Sequence, residues 1–226
     1  FRRHAFGWRS QPAVLRVLEA VAEIKAVARN DPVLAADGAV AFLERVSPAL
    51  EHVDSSSGAI GSAVNAAIDD LVPIIAGAPA DGKTRDAWLD RLFEAIQNDS
   101  IPYIELLADH WGELCASEAR AASWADQLVG ITRMALSPDR SLRGHFAGTT
   151  ACLSALLRAG RHDELIDIVR SERFWPYRRW AVLALMAQGK HAEALEHAEA
   201  SRDAWASDIS IDRVCEEILL SCGRVE

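Results

Sequence analysis

The chain has 226 residues, of which half are hydrophobic and a quarter are charged. Its 33 acidic and 24 basic side chains give a formal net charge of −9. This composition is typical of a folded globular protein, and it excludes intrinsic disorder, a collagen-like repeat and a small disulfide-bonded scaffold. The acidic balance also disfavours a dedicated DNA-binding protein, because neutralising phosphates requires clustered positive charge.

The two ends and the longest uncharged stretches bear on processing and on membranes. The chain begins at Phe1 rather than Met, and its opening residues contain no apolar run as long as a signal peptide needs, so we interpret it as a fragment. The longest uncharged stretches, 55–68 and 71–80, are separated by Asp69 and Asp70 and are rich in Ser, Gly and Pro. We therefore predict no membrane-spanning segment.

The four cysteines indicate a compartment. Cys115, Cys152, Cys215 and Cys222 lie inside apolar helical patterns and lack the close spacing of a secreted disulfide framework. We expect them to be reduced thiols of a core, which predicts a cytoplasmic protein.

Apolar residues recur at intervals of three and four along almost the whole chain. No stretch alternates with a period of two over the length of a strand. The pattern predicts an all-α protein, an α-α superhelix of about ten or eleven antiparallel helices joined by short loops. Ser117 before Glu118 predicts a capped helix start, and Ser47 before Pro48 predicts another. The first helix shows the period in Val14, Val17, Leu18, Val21 and Ile24.

A glycine motif recurs in the last third of the chain. Residues 155–165 match residues 184–194 position by position, and 218–226 repeats the start of the same pattern. Gly160, Gly189 and Gly223 are each followed by a basic residue and are 29 and 34 residues apart, a spacing within the range of helix-turn-helix repeats. Each glycine is expected to end the first helix of a pair at a positive φ, which lets the chain reverse.

The segment Gly-Lys-His-Ala-Glu-Ala-Leu-Glu-His-Ala at 189–198 resembles the junction of a tetratricopeptide repeat. The resemblance covers about residues 146–226 and implies stacked helix pairs with a concave face for a protein or peptide. Residues 1–137 are compatible with irregular paired helices of the HEAT kind. The whole chain is similar to uncharacterised bacterial helical proteins that open with a comparable Phe-Arg-Arg-His-Ala-Phe segment, and this similarity implies no activity.

The candidate junction between the two regions is the stretch Ser137-Pro138-Asp139-Arg140. It separates a HEAT-like region, 1–137, from tetratricopeptide-like repeats, 138–226. We expect this junction to be a loop within one continuous superhelix, because neighbouring units of a solenoid share cores. The third glycine copy stops at Glu226, so we expect the protein to continue or its last turn to cap the stack.

The segment from Gly77 to Thr84 satisfies the phosphate-loop pattern G-x(4)-G-K-[ST]. In such a loop backbone amides would hold the phosphates, Lys83 would reach the outer ones and Thr84 would bind magnesium, with Gly77 and Gly82 giving the tight turn. That fold also needs a parallel sheet, and residues 98–226 offer helices only. We therefore prefer a loop between two helices, with a nucleotide hydrolase as an alternative.

Arginine and aromatic residues alternate in the segment 170–180. From 138 to 180 there are eight arginines and five acidic residues, a local charge of +3. A functional interpretation of this composition is an anionic partner held by guanidinium groups and aromatic stacking. We prefer the alternative for this segment, in which the aromatics fill the space between helix pairs while the arginines pair with acidic residues. The candidate contacts are Arg170, Arg173, Trp175, Tyr177, Arg178 and Arg179.

No spacing of histidines, cysteines and acidic residues indicates a metal site or a catalytic centre. His110, Glu113 and Cys115 do not converge along one helix, and Glu193 with His197 lacks a third ligand. We predict no metal, no cofactor and no catalytic residue. The predicted function is a non-catalytic scaffold module of a larger bacterial protein that binds a protein or peptide. Binding of nucleic acid or another anion at 170–180 is the first alternative, and the oligomeric state is left open.

Overall fold

The structure, a computed structural model, describes residues 10–53, 58–139, 141–202 and 208–223. Within these ranges every regular element is helical, with eleven α-helices, one short 3-10 helix and no strand. The prediction of an all-α protein of paired helices is confirmed. The opening Phe-Arg-Arg-His-Ala-Phe segment, Arg140 and Glu226 lie outside the described residues.

The chain divides into two compact units, one ending at Ala116 and the other beginning at Ser117. The junction predicted at 137–138 falls within the second unit, between two helices that pack against each other. A continuous superhelix through both units stays a prediction.

Unit 1 is built on three long helices that pack against one another. A fourth helix packs on the second, and a short 3-10 helix and a one-turn helix pack on the third. Leu43, Ile68, Leu71, Leu89 and Trp111 are among its fully buried core residues. Its elements are α1 (Gln11–Ala28), α2 (Pro32–Leu50), α3 (Ala59–Gly77), α4 (Gly82–Gln97), the 3-10 helix Glu105–Ala108 and α5 (Trp111–Leu114).

Helix α3 is, among the described residues, the one helix long and apolar enough to cross a membrane by length and composition. Its apolar stripe is buried at Ile60, Val64 and Ile68, where α1 and α2 pack on it. Asp69 and Asp70 lie exposed on the same helix, and Asp70 accepts a hydrogen bond from Lys25 of α1 at 2.8 Å. A charged exposed side and a buried apolar side are the pattern of a core helix, so we assign α3 to the core of unit 1.

The helix start predicted at Ser47-Pro48 is wrong, because both residues lie inside α2, close to its end. A proline lacks the amide hydrogen and therefore costs the helix one hydrogen bond there. Val46 and Leu50 are buried on either side of Pro48 and carry the helix to its end. The other predicted start is confirmed: the Ser117 hydroxyl accepts a hydrogen bond from the Arg120 amide at 3.3 Å.

The described part of unit 2 contains six helices that pack in chain order, each on the next. Residues 151–156 are all buried, and their helix contacts three others of this unit. A second cluster, around Val182, Leu185 and Ile211, joins the last three helices. The elements are α6 (Glu118–Ala135), α7 (Thr149–Arg158), α8 (His162–Val169), α9 (Trp175–Ala187), α10 (His191–Glu199) and α11 (Asp208–Ser221).

The glycine turns of unit 2 have the predicted backbone. Gly160, Gly189 and Gly223 have φ values of 70°, 73° and 68°. At the end of α7 the Arg161 amide donates to the Leu156 carbonyl at 3.0 Å, and at the end of α9 the Lys190 amide donates to Leu185 at 2.9 Å. The two turns therefore use the same six-residue hydrogen bond to close a helix and start the next one.

Three of the four cysteines fit the predicted core position. Cys115, Cys152 and Cys215 are buried and free, but Cys222 is exposed. Cys222 lies one residue beyond the end of α11, where the side chain has left the buried stripe of the helix. The prediction of four core thiols is therefore corrected to three.

Candidate functional site

The phosphate-loop-like segment connects two helices. Gly77 is the last residue of α3, Gly82 is the first residue of α4, and Lys83 is exposed. The Asp81 carboxylate accepts a hydrogen bond from the amide of Thr84 at 2.7 Å. An aspartate thus occupies a helix amide that a phosphate would need, and this hydrogen bond lowers the pKa of Asp81.

The next residue, Arg85, has a structural role that the motif did not indicate. Its side chain is 4% exposed, and its guanidinium donates to the main-chain carbonyls of Ile75 and Ala76 at the end of α3 and of Ala78 just beyond it. A positive charge at the carboxyl end of a helix complements the helix dipole as well as the unpaired carbonyls. Within the described residues no strand precedes this loop, so the geometry is that of a helix connection.

The aromatic residues of the segment 170–180, which we call the basic-aromatic segment, divide into buried and exposed members. Trp175 and Trp180 are 7% and 3% exposed, and Trp175 belongs to the cluster formed with Val182 and Leu185. Trp175 is therefore a core residue and does not contribute to the surface. Phe174 is 52% exposed, and its ring contacts Tyr177 edge to face at 5.7 Å between centroids.

Two of the four arginines of the basic-aromatic segment have partners close by in the chain. Arg170 forms an ion pair with Asp167 at 3.4 Å, although 74% of its side chain stays exposed. Arg179 donates from Nε to the Pro176 carbonyl at 3.3 Å and stacks over the Trp180 ring at 5.3 Å. These three contacts orient Arg170 just beyond the end of α8 and Arg179 on α9.

The other two arginines, Arg173 and Arg178, have no carboxylate partner among the described residues. Arg173 is exposed, whereas Arg178 is half-buried and its Nε atom is buried without a hydrogen-bond acceptor. An unneutralised guanidinium at the edge of a core attracts an anion, because the surrounding protein weakens solvent screening.

His197 on α10 lies within electrostatic range of Arg178. Its burial, together with the positive charge of Arg178, holds the pKa of His197 below its usual value of 6.5. The Nε2 atom of His197 is buried without a hydrogen-bond partner. Arg178 and His197 therefore place two buried nitrogen atoms without hydrogen-bond partners on neighbouring helices.

An ion pair between an exposed arginine and a buried carboxylate lies before α9. Glu172 is 3% exposed, and one of its carboxylate oxygens accepts a hydrogen bond from Arg143 at 2.9 Å. The other oxygen, Oε1, lies 2.8 Å from the second terminal nitrogen of Arg143 but accepts no hydrogen bond among the described residues. The ion pair joins the loop before α7 to the loop before α9 at the base of the basic-aromatic segment.

His110 of unit 1, which the sequence analysis considered as a metal ligand, lies between two acidic residues. His110 lies 3.6 Å from Asp69 and 3.5 Å from Glu113. Among the described residues no three histidine, cysteine or acidic side chains are grouped as a metal ion would need. His110 is thus positioned for ion pairing across α3 and α5.

Comparison of the chain with protein-family models, with curated proteins and with solved structures found no match. The resemblance to tetratricopeptide and HEAT repeats stays a prediction.

Proposed function

We propose that the chain is a non-catalytic scaffold module and that unit 2 binds an acidic segment of a protein partner on the basic-aromatic segment. The observation that supports this most is the state of Arg173 and Arg178, which have no carboxylate partner in the part of the chain that the structure describes. Positive groups left unneutralised are available to an acidic ligand.

Several other arginines of the same chain form ion pairs with acidic side chains. Four arginines each bond to two different carboxylates, as Arg133 does with Glu164 and Asp167. Arg178 differs from these four arginines, because its Nε atom is buried without a hydrogen-bond acceptor among the described residues. The other three are Arg91, Arg161 and Arg202.

The aromatic pair next to these arginines adds apolar contact area. Phe174 is half exposed and Tyr177 is half-buried, with their rings in contact. Aromatic residues beside arginines are the side chains enriched at the energetic centres of protein interfaces. The proposed ligand is therefore a peptide that carries acidic groups for Arg173 and Arg178 and an apolar or aromatic side chain for Phe174.

We favour a peptide over a nucleic acid because the positive segment is short and the chain is acidic. Nucleic-acid affinity grows with the number of phosphates neutralised, and few such contacts fit on a segment with two unpaired arginines. The reduced, buried cysteines support a reducing compartment such as the cytoplasm for this module.

The test is fluorescence anisotropy with a labelled alternating Glu–Tyr peptide, and with oligothymidylate of the same length as the competing probe. Changing Arg178→Glu together with Arg179→Glu should weaken peptide binding at least about tenfold, or ~1.4 kcal/mol. Changing the exposed Arg158→Glu and Arg213→Glu alters the net charge equally and should leave affinity within about twofold. Equal losses in both double variants, or tighter binding of the oligonucleotide, would refute the peptide proposal.

A further inference from the structure

An open groove of about 650 Å³ lies between helices α1 and α2 of unit 1. Its lining residues do not include any of the basic-aromatic segment. Each wall is one face of a helix. The α1 wall presents Ala13, Val17, Ala20 and Ile24, which recur at intervals of three and four. The α2 wall presents Gly38, Ala41, Phe42, Val46 and Ala49, which follow the same helical period. The residues named on both walls are apolar, and most of them are small.

The two walls of the groove come close to each other at Gly38. A side-chain carbon built on Gly38 would lie 3.8 Å from Cγ1 of Ile24, which is ordinary van der Waals contact. The walls run from this contact back along α1 to Ala13, about 16 Å by helical rise, or roughly three turns. This length matches the apolar stripe of a short helix.

Two arginines stand opposite each other on the walls of the groove. Arg16 and Arg45 both line it. Arg16 lies eight residues back along α1 from Ile24, and Arg45 lies seven residues on along α2 from Gly38. Since α1 and α2 are joined by a short turn and run in opposite directions, both arginines stand about 10 to 12 Å from the Ile24–Gly38 contact by helical rise.

The charges of the groove favour an acidic occupant. Neither Arg16 nor Arg45 has a carboxylate partner among the described residues, and the groove lining contains one acidic residue, Glu23. Glu23 is next to Ile24, at the level of Gly38, so the positive charge is concentrated toward the other end of the groove. A carboxylate placed between the two guanidinium groups would form charge-assisted hydrogen bonds with both.

We propose that this groove binds an amphipathic helix of a partner protein, with apolar residues at i, i+3 or i+4 and i+7 and with a carboxylate held between Arg16 and Arg45. The small residues Ala20, Gly38, Ala41 and Ala49 let the backbone of such a helix approach closely. This is the helix-in-groove mode of recognition, in which periodic anchors give affinity and flanking charges give orientation.

The experiment selects peptides that bind the full chain from a displayed library of short helical peptides. Every position of these peptides is randomised, except for surface positions that are kept as helix-favouring residues. The proposal predicts that selected peptides share the apolar period and an acidic residue near one end. Their affinity should fall at least about tenfold for Arg16→Glu with Arg45→Glu. The matched control, Arg29→Glu with Arg158→Glu, changes two exposed arginines outside the groove and should leave affinity unchanged.

Two further arms keep the result decisive. Replacing the acidic residue of a selected peptide by Lys should abolish binding to the native chain and restore it to the Arg16→Glu and Arg45→Glu variant. Gly38→Leu fills the groove and should block binding while circular dichroism shows a folded chain. Selected peptides without acidic enrichment, or peptides insensitive to Gly38→Leu, would overturn the proposal.

Other occupants of the groove would give different results with the same variants. A monomer–dimer equilibrium that disappears in the Arg16→Glu and Arg45→Glu variant would replace the partner helix by a second copy of this chain. Binding of a labelled fatty acid that Gly38→Leu abolishes, with no peptide selected, would replace it by an acyl chain. Loss of peptide binding on Arg178→Glu and Arg179→Glu alone concerns unit 2 and leaves the groove proposal standing.

Discussion

The guanidinium of Arg85 donates to the main-chain carbonyl of Ile75, ten residues earlier in the chain, and encloses the carboxyl end of α3. The same guanidinium bonds to Ala78 at 2.6 Å, and it lies 5.3 Å from the ring centre of Trp88. One buried side chain therefore ends α3 and holds the start of α4 against it.

Replacing this arginine should destabilise unit 1. Arg85→Met keeps the length of the side chain but leaves buried carbonyls unpaired, so we expect a loss of about 3 kcal/mol in the free energy of unfolding. Urea titration followed by tryptophan fluorescence measures it. Lys83→Met, two residues away and exposed, should change the free energy by less than about 0.5 kcal/mol. A larger effect at Lys83 than at Arg85 would contradict the assignment of this segment as a helix connection.

Replacing the turn glycines of unit 2 by alanine should lower the stability of the protein, whereas the same replacement at a glycine inside a helix should raise it. Gly160→Ala and Gly189→Ala place a side chain at φ values of 70° and 73°, which should each cost about 1 kcal/mol. Gly130 lies inside α6 with open space around it, so Gly130→Ala should stabilise by about 0.5 to 1 kcal/mol. Thermal melts compare the three variants, and a destabilising Gly130→Ala would argue against the helix described there.

Thiol reactivity should separate the exposed cysteine from the buried ones. Burial raises the pKa of the Cys152 thiol to about 11 and disfavours its reactive thiolate. At mildly alkaline pH a disulfide reagent should label Cys222 quickly and the three buried cysteines only after unfolding. Cys222→Ser should remove the fast phase, and a fast phase that survives in this variant would place another thiol at the surface.

The titration of His197 should reflect its burial and the neighbouring guanidinium of Arg178. Because the pKa of His197 in the folded chain lies below 6.5, the unfolded chain binds the proton first as the pH falls. His197 therefore lowers stability as the pH drops below about 6.5. NMR titration of the imidazole should give a pKa below 6.5, and Arg178→Gln should move it upward. A pKa above 6.5 would mean that an unseen acidic group faces the ring.

The helices and their turns were predictable from the sequence because both depend on short-range patterns. Intervals of three and four define which face of a helix is buried, and a glycine before a basic residue defines where the chain reverses. Ser117 illustrates the same point, since its capping role needs only the next three residues. Ser47-Pro48 shows the limit: burial of Val46 and Leu50 outweighs a local signal for a helix start.

The candidate sites were less predictable from the sequence, because the burial of a side chain depends on how several helices pack together. Trp175 was a candidate contact by composition, but it stands seven residues before Val182 and shares its buried face. Arg85 stands three residues before Trp88 and four before Leu89, so it falls on the core face of α4, and this phase could have revealed it. The groove between α1 and α2 depends on how two helices pack against each other, which no short-range pattern specifies.

The most direct measurement of the proposed function is an amide NMR map of the labelled chain as the alternating Glu–Tyr peptide is added. The account predicts that the perturbed signals cluster at Phe174, Tyr177 and Arg178, and that the imidazole of His197 gains protons on binding. Perturbations confined to unit 1, or none at peptide concentrations that saturate anisotropy, would contradict the proposal that the basic-aromatic segment holds the partner.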